Sequence, residues 1–362
     1  MTMISQIVQK DLKPLTVAID HGQYTTEILS KVGQAGAFRH HIPSLNNGDL
    51  NLFGTIQDMA TVSEECMSTG FMMWAQSVCT WYIENSENEW LKSDILPKMV
   101  DGEYFGATAL SNPMKYFAGI EDLKLSAEET EDGYIINGTL PWVSNLLEGS
   151  SKHFFGSIFS VHDHDKNYEK DVMALIPCDL EGLTMKQMAE FVGMEGTGTY
   201  SLLFDNAFLP KKYLLADPLK PYLERIKAGF ILLQTGMAAG VIKGAVNEME
   251  KANLTLSEIN EYLDDSPEEI TEDLEDAIDL IEALCEDPFT PGQEYIKSVL
   301  EARLLGAEIC KRAADSVMQH AGAKGYLVDA APQRKLREAY FVIIVTPSIK
   351  HLRKEIDRIE AA

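Results

Sequence analysis

The hydrophobic pattern of this chain changes period twice, from helical to strand-like and back. That alternation restricts its architecture more than any single motif. Residues 1 to about 105 read as helical: 63–80 is apolar without a Gly or Pro after Gly70, and 90–99 extends the helices until Pro97 bends or ends the segment. From about 106 to 215 the chain becomes short alternating or apolar runs divided by Gly, Asn and Asp. Residues 154–161, 171–176 and 200–204 read as strands, which points to a small barrel or sandwich. After Pro210 four long helical candidates follow, at 228–252, 267–286, 293–321 and 332–358. The expected α+β organisation is an N-terminal α-helical domain over 1–105, a middle β-barrel domain over 106–215 and a C-terminal four-helix bundle over 216–362.

A chain of 362 residues, 45% of them hydrophobic, can bury a core of that size. No apolar run approaches the roughly 20 residues that span a bilayer, and the first residues lack a signal-peptide layout. The five cysteines (Cys66, Cys79, Cys178, Cys285, Cys310) are scattered without CxxC spacing, so the expectation is a reduced, cytoplasmic protein with buried free thiols and no metal site. A net charge of −25 argues against a nucleic-acid surface. Much of that charge is local: between Lys251 and Lys297 there is no Lys or Arg but fifteen Asp and Glu. Ser266-Pro267-Glu268-Glu269 has the residues of a helix start, a hydroxyl N-cap with Pro next and an acid three residues on. Ile270, Leu274, Ala277, Ile281 and Leu284 continue at helical spacing, which places the acids on a solvated face.

Within the strand-rich middle, residues 133–145 read Gly-Tyr-Ile-Ile-Asn-Gly-Thr-Leu-Pro-Trp-Val-Ser-Asn. Residues 134–136 predict a strand, Asn137-Gly138 a tight turn because both positions tolerate positive φ, and the return strand runs into Trp142 and Ser144. A flat aromatic two residues before a hydroxyl can cover a planar ligand and donate one hydrogen bond to it. An ordinary hairpin with a core Trp satisfies the same residues.

This run resembles the middle of the acyl-CoA dehydrogenase family, in which Gly-Tyr-x-x-Asn-Gly-x-x-x-Trp-x-hydroxyl-Asn lies against FAD. Other segments resemble family motifs in the same order. Residues 108–113 (Thr-Ala-Leu-Ser-Asn-Pro) resemble the strand ending in Thr-Glu-Pro, 192–197 the Gly-Met-Arg run, and 203–210 the last barrel strand. Residues 319–326 resemble the Gln-x-x-Gly-Gly-x-Gly-aromatic turn, and Arg337-Glu338-Ala339 its Arg-Asp-Ala. The resemblance implies FAD, with Trp142 over the ring, Ser144 near its N5, and the segment at Leu110 and Ser111 on the pyrimidine edge. Gln319, Gly322, Gly325 and Ser348 fall at further cofactor positions. The two glycines would admit the pyrophosphate of a neighbouring subunit's FAD, although a helix C-cap and turn explain them equally. A homodimer or homotetramer follows, with an electron-transfer flavoprotein or a flavin reductase as redox partner.

Departures from the family pattern limit what is carried over. The catalytic Glu of the Glu-Gly-Thr run falls on Thr346 without gaps, or on Ile344 with a two-residue gap, and the alternative position on an earlier helix falls near Phe230. None is a carboxylate, and a Thr hydroxyl is far too weak a base near neutral pH. The Arg-x-x-Phe-Gly segment is replaced at 252–258 by a stretch running into acids, which weakens a diphosphate site. The substrate Arg falls near Ile231, and the acid of Thr-Glu-Pro is Asn112. His162-Asp163-His164-Asp165 reads as a polar hairpin loop, His40-His41 as a loop pair without ligand spacing, and Met67, Met72 and Met73 as helix core. Three functions remain open: a flavin-dependent oxidoreductase of an acyl-CoA or acyl-thioester, a reduced-flavin-dependent monooxygenase, and a non-catalytic binding or assembly relative.

Overall fold

A computed structural model describes residues 2–163, 168–187 and 189–361. Short helices α1 (Met3–Ile7), α2 (Thr16–Asp20) and α3 (Glu27–Gln34) open the chain, followed by α4 (Leu52–Glu65) and α5 (Met67–Glu84). Cys66 is extended, so the apolar stretch expected over 63–80 is shared by two helices. Every residue of α5 from Met67 to Ile83 is buried, as befits a helix packed on all sides. A π-helical turn at Leu91–Ile95 runs directly into α6 (Leu96–Val100), which carries Pro97 in its first turn, so the helical segment continues past the proline with an irregular turn before it. His41 is a core residue, bonded to Thr55 at 2.9 Å and Thr80 at 2.8 Å.

The middle of the chain contains β1 (Phe105–Thr108), α7 (Ser111–Phe117), β2 (Leu125–Glu129), β3 (Gly133–Val143), β4 (His153–Asp163), β5 (Tyr168–Pro177), β6 (Leu183–Lys186), β7 (Tyr200–Pro210) and β8 (Leu214–Ala216). The strands pair in the order β6-β7-β3-β2-β4-β5-β8, with β1 parallel to β4. This mixed sheet rolls around its own core. Phe155 of β4 and Phe204 of β7 are separated by two strands in the order, yet their rings meet at 6.4 Å. Among the described residues pairing ends at β6 and β8, so the expected barrel is rolled rather than hydrogen-bonded shut. His164 and Asp165 lie outside the described residues.

The Asn137-Gly138 turn is not formed. β3 runs straight through it, and Gly138, at φ +131°, is a bulge where the register against β7 shifts. Asn137 uses its side-chain oxygen to accept from the Asn206 N–H of β7 at 2.8 Å. Local turn preference yields to a partner strand almost seventy residues away.

The C-terminal part consists of α8 (Leu219–Leu233), α9 (Thr235–Asn260), α10 (Pro267–Cys285), α11 (Gln293–Ala321), α12 (Ala331–Ile344) and α13 (Ile349–Glu360). Ser266 and Glu269 form the expected capping box on α10. Ile270, Leu274, Ala277 and Ile281 are buried while Glu272, Glu275 and Asp279 face out. The helix expected over 332–358 is broken at 345–348, because Pro347 has no N–H to give Ile343 and disfavours helical geometry at Thr346. The Leu219–Asn260 span is longer and more apolar than the sequence reading allowed. Its most apolar window passes the length and composition test for a membrane helix but is 94% buried inside the fold. Gly236, Gly240 and Gly244 let α9 lie directly on α4: a Cβ at these positions would approach backbone oxygens of Ile56, Ala60 and Glu64 at 2.7, 2.4 and 2.5 Å.

Candidate functional site

The end of β3 supplies one wall of the candidate site. A second register shift between Leu140 and Val143 frees Pro141 and Trp142 from regular pairing. Trp142 is 52% exposed and meets the Phe191 ring edge-on at 5.5 Å, so one broad indole face is open. Val143 turns into the sheet core. Ser144 then shares a hydrogen bond with Thr199 at 2.6 Å, Thr199 with Thr197 at 2.9 Å, and Thr197 donates to the Met194 carbonyl at 2.7 Å. Asn145 has a structural role: at φ +63° it donates to the Gly106 carbonyl at 2.8 Å and accepts from the Tyr24 hydroxyl at 3.3 Å. His153 closes this buried group against Tyr24 at 3.1 Å. Burial holds the imidazole neutral, pulling its pKa down to about 4, and pushes the Tyr24 phenol up.

Ser111 opens α7 and lines a cleft with Trp142, whereas Leu110, the residue before it, packs into the main core and does not line that cleft. Leu110 is buried and Ser111 exposed. Asn112 is a buried tie: it donates to Glu121 and to the Asp122 carbonyl, both at 2.9 Å, and accepts from the Lys124 N–H at 2.9 Å. Ala109, Ser111, Lys115, Lys124 and Trp142 thereby line a cleft of about 210 Å³. Its carboxylate, Glu121, is held by Asn112 and lies 3.7 Å from Lys115.

The broken helix brings in the third component. The Thr346 hydroxyl lies 3.0 Å from that of Ser111, across 235 residues of sequence. Ile344, the other position weighed for the family Glu, is the last residue of α12 and 64% exposed. Ser348 precedes α13 and makes no side-chain cap bond. The structure thus brings Ser111 and Trp142 to one cleft, with Thr346 joined to it only through the Ser111 hydroxyl and Ser144 turned toward Thr199. Gln319, Gly322 and Gly325 do not line that cleft. Gln319 donates to Asp315 at 2.9 Å, Gly322 caps α11 at φ +56°, and Gly325 is buried where a Cβ would lie 2.7 Å from that of Ala321. Residues 252–258, where the family's Arg segment was expected to fall, continue α9, and Lys324 is the cation of the glycine turn.

The family model for the acyl-CoA dehydrogenase N-terminal domain matches residues 1–103. The mouse (Mus musculus) mitochondrial short-chain specific acyl-CoA dehydrogenase is 23% identical over 91% of this chain and 82% of its own. Among solved structures, glutaryl-coenzyme A dehydrogenase in its glutaryl-CoA complex superposes with a TM-score of 0.85 at 18% identity, covering 99% of this chain and 93% of that one. The dibenzothiophene monooxygenase of Paenibacillus sp. A11-2 superposes with a TM-score of 0.80 at 15% identity, covering 98% and 95%. The N-terminal match and these likenesses support an acyl-CoA dehydrogenase family member, and the fold is that of the acyl-CoA dehydrogenases. Neither Thr346 nor Ile344, the two positions expected for the family's Glu, is a carboxylate. Sequence reading missed Thr197, Thr199 and Phe191, which complete the Trp142 wall. Their hydroxyls and ring are visible in 191–199, but nothing local indicates that Ser144, 55 residues earlier, is the partner of Thr199.

Proposed function

We propose that the chain is an FAD-dependent oxidoreductase acting on an acyl-CoA or acyl-thioester-like substrate, in which the usual carboxylate does not remove the α-proton. The observation that supports this reading is the exposed Trp142 ring, which lines one cleft with Ser111, with the Ser144–Thr199 hydroxyl pair two residues further along the chain. These residues suit an isoalloxazine ring: an open apolar face, hydroxyl donors that can turn toward ring heteroatoms, and a cleft with two lysines in a chain of net charge −25. FAD, when bound, would supply two-electron acceptance at its ring. Trp142 would exclude water from one face, Ser144 would orient the ring, and Lys115 and Lys124 would favour an anionic ligand. Gln319, Gly322, Gly325 and Ser348 are proposed for the remaining cofactor contacts, with the glycine turn serving a second copy in a homo-oligomer.

A second reading rests on Thr346. Its hydroxyl is bonded to Ser111 rather than free, and no carboxylate occupies its position. Chemistry that needs no α-proton base, as in a reduced-flavin-dependent monooxygenase, tolerates this arrangement. An absorption spectrum of the purified protein, with any released cofactor identified, tests the flavin itself. Stoichiometric FAD is expected, and no uptake from excess FAD would leave only a non-catalytic relative. Anaerobic bleaching by an acyl-CoA selects the oxidoreductase and its electron-transfer flavoprotein partner. Bleaching only with an external flavin reductase, followed by oxygen-dependent product, selects the monooxygenase.

A further inference from the structure

Arg303, in α11, is 1% exposed, and among the described residues no ion pair to a carboxylate accompanies it. A buried cation without a counter-charge is costly, so what it holds is informative. Burial pulls its pKa down only to about 10, which leaves it charged at neutral pH. Its Nε donates to Gln234 Oε1 at 2.9 Å and its Nη2 to the Val342 carbonyl at 2.7 Å, while Nη1 is buried without a partner. Val342 is in the last turn of α12, where carbonyls have lost their helical donors. Gln234, fully buried between α8 and α9, passes the contact on: its Nε2 donates to the Thr346 carbonyl at 2.9 Å. Thr346 is therefore gripped at its carbonyl by Gln234 and at its hydroxyl by Ser111.

We propose that Arg303 is a positioning residue for the cleft: through Gln234 and Val342 it fixes the 345–348 linker so that the Thr346 hydroxyl meets Ser111. The functional meaning of that placement rests on the flavin reading above, whereas the relay itself does not. Nothing in the local sequence around Arg303 marks it, because its partners lie 69 and 39 residues away.

The test is hydrogen–deuterium exchange on the full chain, comparing wild type with Gln234→Leu, Arg303→Met and Arg303→Lys. Amides over 343–350 should exchange at least tenfold faster in Gln234→Leu, with peptides from α5 and β4 unchanged. Arg303→Lys should restore part of the protection lost in Arg303→Met. If Arg303→Met does not fold, Gln234→Leu decides alone, and unchanged exchange over 343–350 in that variant overturns the relay. A flavin titration on the same proteins supplies the functional readout. A shifted visible band and at least fivefold weaker binding in Gln234→Leu support positioning, and faster exchange with an unaltered band and affinity overturns it in favour of a purely structural tie. Failure of wild type to take up flavin would remove the proposed function and the positioning role with it, while the exchange data still decide whether the relay exists.

Discussion

At the scale of single residues, burial decides the chemistry of the histidines. His41 is fully enclosed, and burial pulls its pKa down to about 3, with the neighbouring His40 contributing. The folded state therefore refuses a proton that the unfolded chain accepts near pH 6.5. The resulting stability is complete above that value and declines as the pH falls through the window toward 3, by about 1.4 kcal/mol per unit for each such group. His153, held near 4, adds to the slope over its upper part. Urea unfolding at pH 7 and pH 5 should show the loss, and His41→Gln should flatten the dependence. The same scale governs the cleft. Trp142→Ala and Ser144→Ala remove an exposed ring and one of two paired hydroxyls, so the fold should be unaffected while flavin affinity falls roughly tenfold, equivalent to about 1.4 kcal/mol. Equal flavin titrations for wild type and both variants would detach these residues from the cofactor.

At the scale of elements, the distance over which an element is determined separates what was legible from what was not. α11 spans 293–321 and α10 begins at Pro267, as the periodic stripes and the Ser266 cap require. Both are local patterns. Ser266→Ala should accordingly lower stability by about 1 kcal/mol in denaturant unfolding. β3 reads wrongly because Asn137-Gly138 is a turn only if no second strand competes, and β7 does. Gly138→Ala should cost about 1–3 kcal/mol through its positive φ, since a Cβ there would also lie 2.2 Å from the Lys124 carbonyl. A denaturation midpoint within error of wild type would show that the bulge relaxes instead. The 332–358 helix breaks for a reason visible in the sequence, Pro347, but where the freed groups go depends on Gln234 and Arg303, which no local pattern joins to it. The site divides the same way. Ser111, Trp142 and the Thr346 position were reachable by resemblance, whereas the Thr199 and Phe191 contacts come from the rolled sheet.

At the scale of the whole molecule, the helical N-terminal part and the C-terminal bundle are locked within one chain. Lys335 Nζ meets Glu338 at 2.6 Å and the Ser63 carbonyl at 3.3 Å, and Glu338 accepts from the Met67 N–H at 3.0 Å, all in the interior beside the α4–α9 glycine contact. This seam needs no second copy. The turn after α11 is different: Tyr326, Leu327 and Val328 are 81%, 63% and 81% exposed, an apolar run beside the glycines proposed to serve a neighbouring subunit. Exposed contiguous apolar surface of this kind is expected to be covered in an assembly. Light scattering at micromolar concentration should therefore find a dimer or tetramer. Replacing all three residues with Ser should yield a smaller species with an unchanged far-ultraviolet spectrum, because the internal seam is untouched. If Gly322 and Gly325 meet the cofactor of a partner copy, the same variant should also bind FAD more weakly although Trp142 and Ser144 are intact. A smaller species with full FAD affinity would instead confine the cofactor to a single chain.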